Sequence, residues 1–239
     1  MIKLSVVIPV YNEEKTVAEI VKQVFDVEIP GVSLEVIIVN DASTDNTTIA
    51  LRALARKYAH LVVVTHKENQ GKGSAVRTGF AKAKGDYIVI QDADLEYDPQ
   101  YFKSLLQPII DKKTQVVYGT RLKNLPKKHG SMSRFRFLIH FFGNRFLSLT
   151  TSLLYGQWIT DMETCYKIFP REFLKNVNLT GQGFEFEPEI TSKLIKAGYK
   201  IVEVPIMTNP RGTKEGKKLH TIRDGAHALL TLIKYRFVN

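Results

Sequence analysis

The chain has little cysteine and no long apolar run, and each shortage narrows what it is. Cys165 is the one cysteine in 239 residues, so no disulfide forms within the chain and a reducing, cytoplasmic setting is expected. The opening run from Leu4 to Val10 gives way to Tyr11-Asn12-Glu13 with no small-residue cleavage site, which reads as a strand and not as a secretory leader. No stretch reaches the roughly 20 predominantly apolar residues of a membrane-spanning helix. A Walker-type phosphate loop, internal repeats and low-complexity tracts are also missing, which argues against P-loop enzymes and repeat architectures. After the first strand there is no Gly-x-Gly-Thr-Arg segment of the kind a nucleotidyltransferase would carry.

What is present is a basic chain of one-domain size. Its net charge is +10 and 44% of its residues are apolar, enough for a large core and in need of an anionic partner: a nucleotide, an acidic membrane surface or nucleic acid. Short β-branched runs alternate with helix-period segments, the pattern of βαβ units on a mostly parallel sheet with helices on both faces. Strands are expected near 4–10, 35–39, 61–65, 87–91 and 115–118, with helices near 14–25, 46–58, 73–83 and 99–111. After residue 120 the pattern changes. A basic loop over 123–130 leads into an amphipathic helix over 133–154, then a strand at 165–169, a helix at 188–197 and a strand at 200–204. A closing helix is expected at 221–237, with Ile222, Ala226, Leu229, Ile233 and Phe237 on one stripe.

In an open α/β sheet the ligand sits beyond the carboxyl ends of the strands. Three of these ends are polar: Pro9-Val10-Tyr11-Asn12-Glu13, Val39-Asn40-Asp41-Ala42-Ser43 and Asp92-Ala93-Asp94-Leu95-Glu96. Carboxylates gathered in one cleft repel one another unless a cation lies between them. Aspartates two apart after an apolar strand suit a hard divalent ion that also bridges a diphosphate. An isolated pair of that kind is more often a turn former or a helix cap; three such strand ends together reverse the balance.

The ordered set Val7-Ile8-Pro9-Val10-Tyr11-Asn12-Glu13-Glu14, Val39-Asn40-Asp41-Ala42-Ser43-Thr44-Asp45, Asn69-Gln70-Gly71-Lys72-Gly73 and Asp92-Ala93-Asp94 resembles glycosyltransferase family 2, and within it the dolichol-phosphate or polyprenyl-phosphate hexosyltransferase branch. The resemblance implies a Rossmann-like GT-A fold in a single domain over 1–239. Residues 1–120 would bind the nucleotide sugar and 121–239 would form the acceptor side. Pro9, Tyr11, Glu13, Val39 and Asp41 would surround base and ribose. Asp92 and Asp94 would hold Mg²⁺ or Mn²⁺ and the diphosphate, with Ala93 allowing backbone approach. Glu96 stands where many dolichol-phosphate enzymes have Gln, and its extra carboxylate makes it a third candidate metal ligand.

Gly119-Thr120-Arg121 matches a strand-end arginine of that branch, and Asp161-Met162-Glu163-Thr164-Cys165-Tyr166-Lys167 matches its acceptor-side segment. Arg211 and Lys217 fall where the branch has a loop that closes over phosphates, although Glu215-Gly216-Lys217 replaces the usual Glu-Ser-Lys. The implied catalytic set is Asp94, Arg121, Asp161 and Arg211. The implied partners are a nucleoside-diphosphate sugar (GDP-mannose or UDP-glucose) and a polyprenyl phosphate.

A phosphate acceptor also makes chemical sense of the arginines. Transfer to a sugar hydroxyl needs a base, for which Asp161 or Glu163 are the candidates, whereas a phosphate monoester is already largely dianionic at neutral pH. Arg121, Arg134, Arg136 and Arg211 could hold it. Phe135, Leu138, Phe142, Phe146, Leu149 and Leu153 recur at helical spacing among basic and polar residues, as in a helix that lies on a membrane, so peripheral membrane association is expected. The plain alternative is a helix packed on the core. A nucleic-acid-binding protein would fit the charge and leave the ordered carboxylates unexplained.

Overall fold

The computed structural model describes residues 1–121, 134–209 and 221–238, without the side chains of 134–140, 221 and 222. Its centre is a seven-stranded sheet in the order β3-β2-β1-β4-β6-β5-β7. β1 (Ile2–Val10) and β2 (Val32–Asn40) lie in register along their whole length, with Pro9 opposite Val39. Leu4, Val6, Val7, Ile8, Val36 and Ile38 have no exposed surface. Strands covered on both faces are apolar throughout instead of alternating. β3 (Leu61–Thr65), β4 (Tyr87–Ile90), β5 (Val116–Thr120) and β7 (Ile201–Pro205) run in the same direction.

Between the strands run α1 (Val17–Phe25), α2 (Thr47–Lys57), α3 (Lys72–Lys82) and α4 (Phe102–Ile110). α1 buries Val17, Ile20, Val21 and Val24, the i, i+3, i+4, i+7 stripe of a helix on a sheet. It begins three residues later than the sequence pattern suggests. Pro99–Tyr101, expected to open α4, is a 3₁₀ turn whose start is capped by the Asp98 carboxylate accepting from Gln100 N–H at 2.9 Å. α3 and α6 (Phe186–Lys196) cover one face of the sheet, where Phe80 meets Phe169 and Phe186 at ring separations of 5.4 and 5.9 Å. α4 lies on the other face, where Phe102 meets Tyr166 at 5.6 Å.

β6 (Lys167–Pro170) departs from simple alternation. It runs antiparallel between β4 and β5, with Ile168 opposite both Val89 and Val117. This reversal brings residues 161–166, which lead into β6, to the same end of the sheet as the residues that follow β4 and β5. The two halves of the chain thereby share one cleft.

α5 (Arg134–Tyr155) and α7 (Thr221–Phe237) pack against each other. α5 is turned opposite to an ordinary surface helix. Its inward residues are Leu147, Ser148 and Thr151, at 7%, 2% and 0% exposure, whereas Phe142, Phe146, Leu149 and Leu153 are 64%, 56%, 46% and 77% exposed. On α7 the expected stripe is split. Ala226, Ile233 and Phe237 face out and Leu229 packs partly on the core, while the buried positions are Ala228, Leu232 and Tyr235. Both sides of α7 are apolar, so spacing alone did not decide which one packs. No helix among the described residues is long and apolar enough to cross a membrane.

Candidate functional site

At the carboxyl ends of β1 and β2 the backbone turns sharply, with Asn12 at φ 52° and Ala42 at φ 56°. The two turns are stitched together: Asn12 N–H donates to Ser43 Oγ at 3.0 Å and Thr44 N–H donates to Asn12 Oδ1 at 2.8 Å. Pro9, Tyr11 and Glu13 keep part of their surface on this rim. Val39 is fully buried in the sheet, so only its backbone could face a ligand.

Asp41 is engaged by its own protein. Its carboxylate accepts from Gln70 N–H at 2.9 Å and Gly71 N–H at 2.8 Å, and His66 Nδ1 lies 2.7 Å away. This clasp pins the Asn69–Gly73 turn to β2. Gly71 takes φ +89°, and a Cβ there would come within 2.5 Å of Gln182 O. A Cβ on Gly73 would meet Gly181 O at 2.5 Å, and Gly73 N–H donates to Gln182 O at 2.7 Å. The glycines let the start of α3 touch the loop before α6.

The turn after β4 holds Asp92, Ala93 and Asp94, with Leu95 at φ 62°. Asp94 Oδ1 accepts from Glu96 N–H at 3.1 Å, and Glu96 O accepts from Asn209 N–H at 2.9 Å. Residues 210–220, which include Arg211 and Lys217, lie outside the described residues, as do the side chains of Arg134 and Arg136. Among the described residues no three His, Cys, Asp or Glu side chains are arranged to hold a metal ion, so Asp92, Asp94 and Glu96 do not make a three-carboxylate cage. The donor set does suit Mg²⁺ or Mn²⁺ held in another way. Such ions take one or two carboxylates and draw the rest of their oxygens from phosphates and water.

Charged groups that sequence reasoning did not single out surround Asp92. Lys72 Nζ lies 2.8 Å from Asp92 Oδ1 and 3.6 Å from Glu187 Oε1, while Lys167 donates to the other oxygen of Glu187. Burial opposes the charge on Asp92, but Lys72 outweighs it and holds the carboxyl below its usual range. Lys72 belongs to the Asn69–Gly73 motif and could have been noticed. Glu187, which precedes Pro188, carries no sequence signal.

On the acceptor side, Arg121 and Asp161 form a two-point ion pair. Arg121 Nε donates to Asp161 Oδ2 and its Nη2 to Oδ1, both at 2.8 Å, and its backbone N–H adds a third bond at 2.9 Å. Asn144 of α5 donates to Asp161 Oδ1 at 2.8 Å. Asp161 is fully buried. Burial alone would raise its pKa, yet the guanidinium and these bonds hold it below the usual range. Thr160 and Asp161 N–H are in turn held by Glu203. Glu163 differs. Its Oε1 is buried without a hydrogen-bond partner, and burial together with nearby Glu187 pushes its pKa up to about 7.

The cleft thus joins strand-end carboxylates, a lysine and a braced arginine at one end of a doubly wound sheet. The sequence matches the model of glycosyl transferase family 2 over residues 5–177. The chain belongs to that family. As a family 2 glycosyltransferase it is 31% identical over 240 residues to a dolichol-phosphate mannosyltransferase of Pyrococcus furiosus, covering 98% of this chain and 64% of that protein. It is also 31% identical over 222 residues to a UDP-N-acetylglucosamine–dolichyl-phosphate N-acetylglucosaminyltransferase of Methanococcus voltae, covering 86% of this chain and 85% of that one. Among solved structures, glucosyl-3-phosphoglycerate synthase from Mycobacterium tuberculosis, crystallised with Mn²⁺, UDP and phosphoglyceric acid, superposes with a TM-score of 0.73 at 19% identity, covering all of this chain and 80% of that one. That likeness establishes the GT-A fold.

Proposed function

We propose that this glycosyltransferase moves a hexose, mannose or glucose, from GDP or UDP to a polyprenyl phosphate at the cytoplasmic membrane face, with inversion at the sugar carbon. The observation that carries this reading is the Arg121–Asp161 pair. The acceptor-side carboxylate is spent on bracing an arginine, and two of the guanidinium's five N–H groups are used, which leaves three to meet a phosphate. An oxygen of the acceptor phosphate attacks the anomeric carbon as the bond to the diphosphate breaks. The acceptor has no proton to lose, so no base is required. Asp92 and Asp94 would hold the divalent ion, which supplies positive charge for the leaving diphosphate. Pro9, Tyr11, Glu13 and the backbone of Val39 would line the nucleotide, with Asp41 shaping that wall. Arg211 and Lys217 would reach the diphosphate.

Two further observations support a lipid acceptor. α5 turns Phe142, Phe146, Leu149 and Leu153 outward while its Asn144 touches Asp161, so an apolar surface lies one helix away from the arginine. Two relatives carry dolichyl phosphate in their names.

One observation favours a second reading. A partly buried Glu163 whose Oε1 is enclosed without a hydrogen-bond partner, with a pKa of about 7, is poised as a general base for a sugar hydroxyl. The test is release of UDP or GDP from a panel of nucleotide sugars with short polyprenyl phosphate, with polyprenol, or with free sugars. The first reading expects release only with the phosphate. Release driven by a hydroxyl acceptor and lost in Glu163→Gln would install the second.

A further inference from the structure

One lysine stands between two acids at the heart of the cleft, and only one of them holds it. Lys72 Nζ is 2.8 Å from Asp92 Oδ1 and 3.6 Å from Glu187 Oε1. Glu187 is 3% exposed, and its Oε1 has no hydrogen-bond partner. The other oxygen of Glu187 takes Lys167, whose ammonium is also tied to Met162 O and Thr164 O and so cannot turn to serve both. A buried carboxylate oxygen left without a donor is costly. Here a donor waits less than 1 Å beyond hydrogen-bond range.

The backbone beneath Lys72 is fixed. Gly71 N–H is held by Asp41 and Gly73 N–H by Gln182 O, with no room for a Cβ at Gly73. Any adjustment therefore falls to the flexible lysine stem, whose ammonium can rotate its donors.

We propose that Lys72 is a positioning residue that stands in for the divalent cation, neutralising Asp92 in the donor-free enzyme and turning to Glu187 Oε1 when the cation takes Asp92. The proposal rests on the metal reading above and adds to it a competition within the protein. Two cations on one carboxylate repel each other, so Lys72 opposes metal binding in the free enzyme. Glu187 gives the displaced ammonium a place to go, and a donor diphosphate tips the balance by adding negative charge.

The experiment is a Mn²⁺ titration of the full chain without nucleotide, followed by electron paramagnetic resonance, on the parent, Lys72→Met, Lys72→Gln and Glu187→Gln. Circular dichroism first confirms that each is folded. Both Lys72 variants should bind Mn²⁺ about tenfold more tightly than the parent, whereas Glu187→Gln, which removes a charge from the second berth, should bind more weakly. Two lysine variants keep the test open if one fails to fold. Mn²⁺ affinity that is unchanged or lower in the folded lysine variants overturns the proposal while leaving the metal reading intact. If the parent and all variants ignore Mn²⁺ even with UDP or GDP present, the metal reading fails and the proposal falls with it.

Discussion

Replacing Phe142 and Phe146 of α5 by Ser should detach the enzyme from lipid without unfolding it. The two rings are 64% and 56% exposed. Full burial of such a side chain is worth ~1.5–3 kcal/mol, so the exposed shares leave about 1–2 kcal/mol each for a membrane, roughly 2–3.5 kcal/mol together. At ~1.4 kcal/mol per tenfold, the double variant should bind acidic vesicles about 30- to 300-fold more weakly. Arg145 is exposed on α5, and Lys234 and Arg236 on the neighbouring α7. Each would add ~1 kcal/mol of attraction near anionic lipid, so binding of the parent should exceed that to neutral vesicles and weaken with salt. Surface substitutions rarely exceed ~0.5 kcal/mol each, so urea unfolding should shift by about 1 kcal/mol at most. Vesicle sedimentation and urea titration on the same preparations give both numbers. A parent that ignores acidic vesicles, or a double variant that unfolds, would rule out docking through α5 and return this face to the protein's own packing.

Three further outcomes follow. Glu163, with a folded pKa near 7 against an ordinary value of 4.5, keeps its proton in the folded state while the unfolded chain gives it up, so it costs stability as pH rises through that window and none below it. Glu163→Gln should therefore melt higher than the parent at pH 8 and nearly level with it at pH 4.5; equal melting at both pH values would show that the carboxyl is not desolvated. Gly73→Ala, whose methyl would lie 2.5 Å from Gly181 O, should lose roughly 2–4 kcal/mol in urea unfolding and weaken nucleotide binding by parting α3 from the loop before α6; a loss under about 0.5 kcal/mol would mean that the two backbones part freely. Stripping divalent ions with EDTA should abolish turnover, and added Mg²⁺ or Mn²⁺ should restore it, whereas full activity without metal would remove the role given to Asp92 and Asp94.

Local features were legible in the sequence and distant ones were not. β3 spans the expected 61–65 and α7 the expected 221–237, because β-branched runs and turn residues are written in consecutive positions. The direction of β6 was not legible, since Ile168 finds its partners Val89 and Val117 more than 50 positions earlier. Which side of α7 packs required knowing its neighbours, since both of its sides are apolar. The stripe of α5 was read as facing a membrane, with core packing as the alternative, and the exposure of Phe142, Phe146, Leu149 and Leu153 agrees with the first; what spacing did not show is that the inward side is built on Ser148 and Thr151. In the site, Asp92, Arg121 and Asp161 were picked from their motifs, whereas the buried charges of Lys167 and Glu187 come together only through the fold. Asp41 was expected to face the nucleotide; a carboxylate also suits backbone N–H groups, and Gln70 and Gly71 supply them.

The central claim, that the acceptor is a phosphate and needs no base, is tested most directly by the product. The enzyme is supplied with its nucleotide sugar and a short polyprenyl phosphate, and the purified lipid is examined by NMR. The product should carry a sugar joined through its anomeric carbon to the phosphate, seen as phosphorus coupling on the anomeric proton, with configuration opposite to that of the donor. A product of retained configuration, or one glycosylated on a hydroxyl with the phosphate untouched, would contradict the claim.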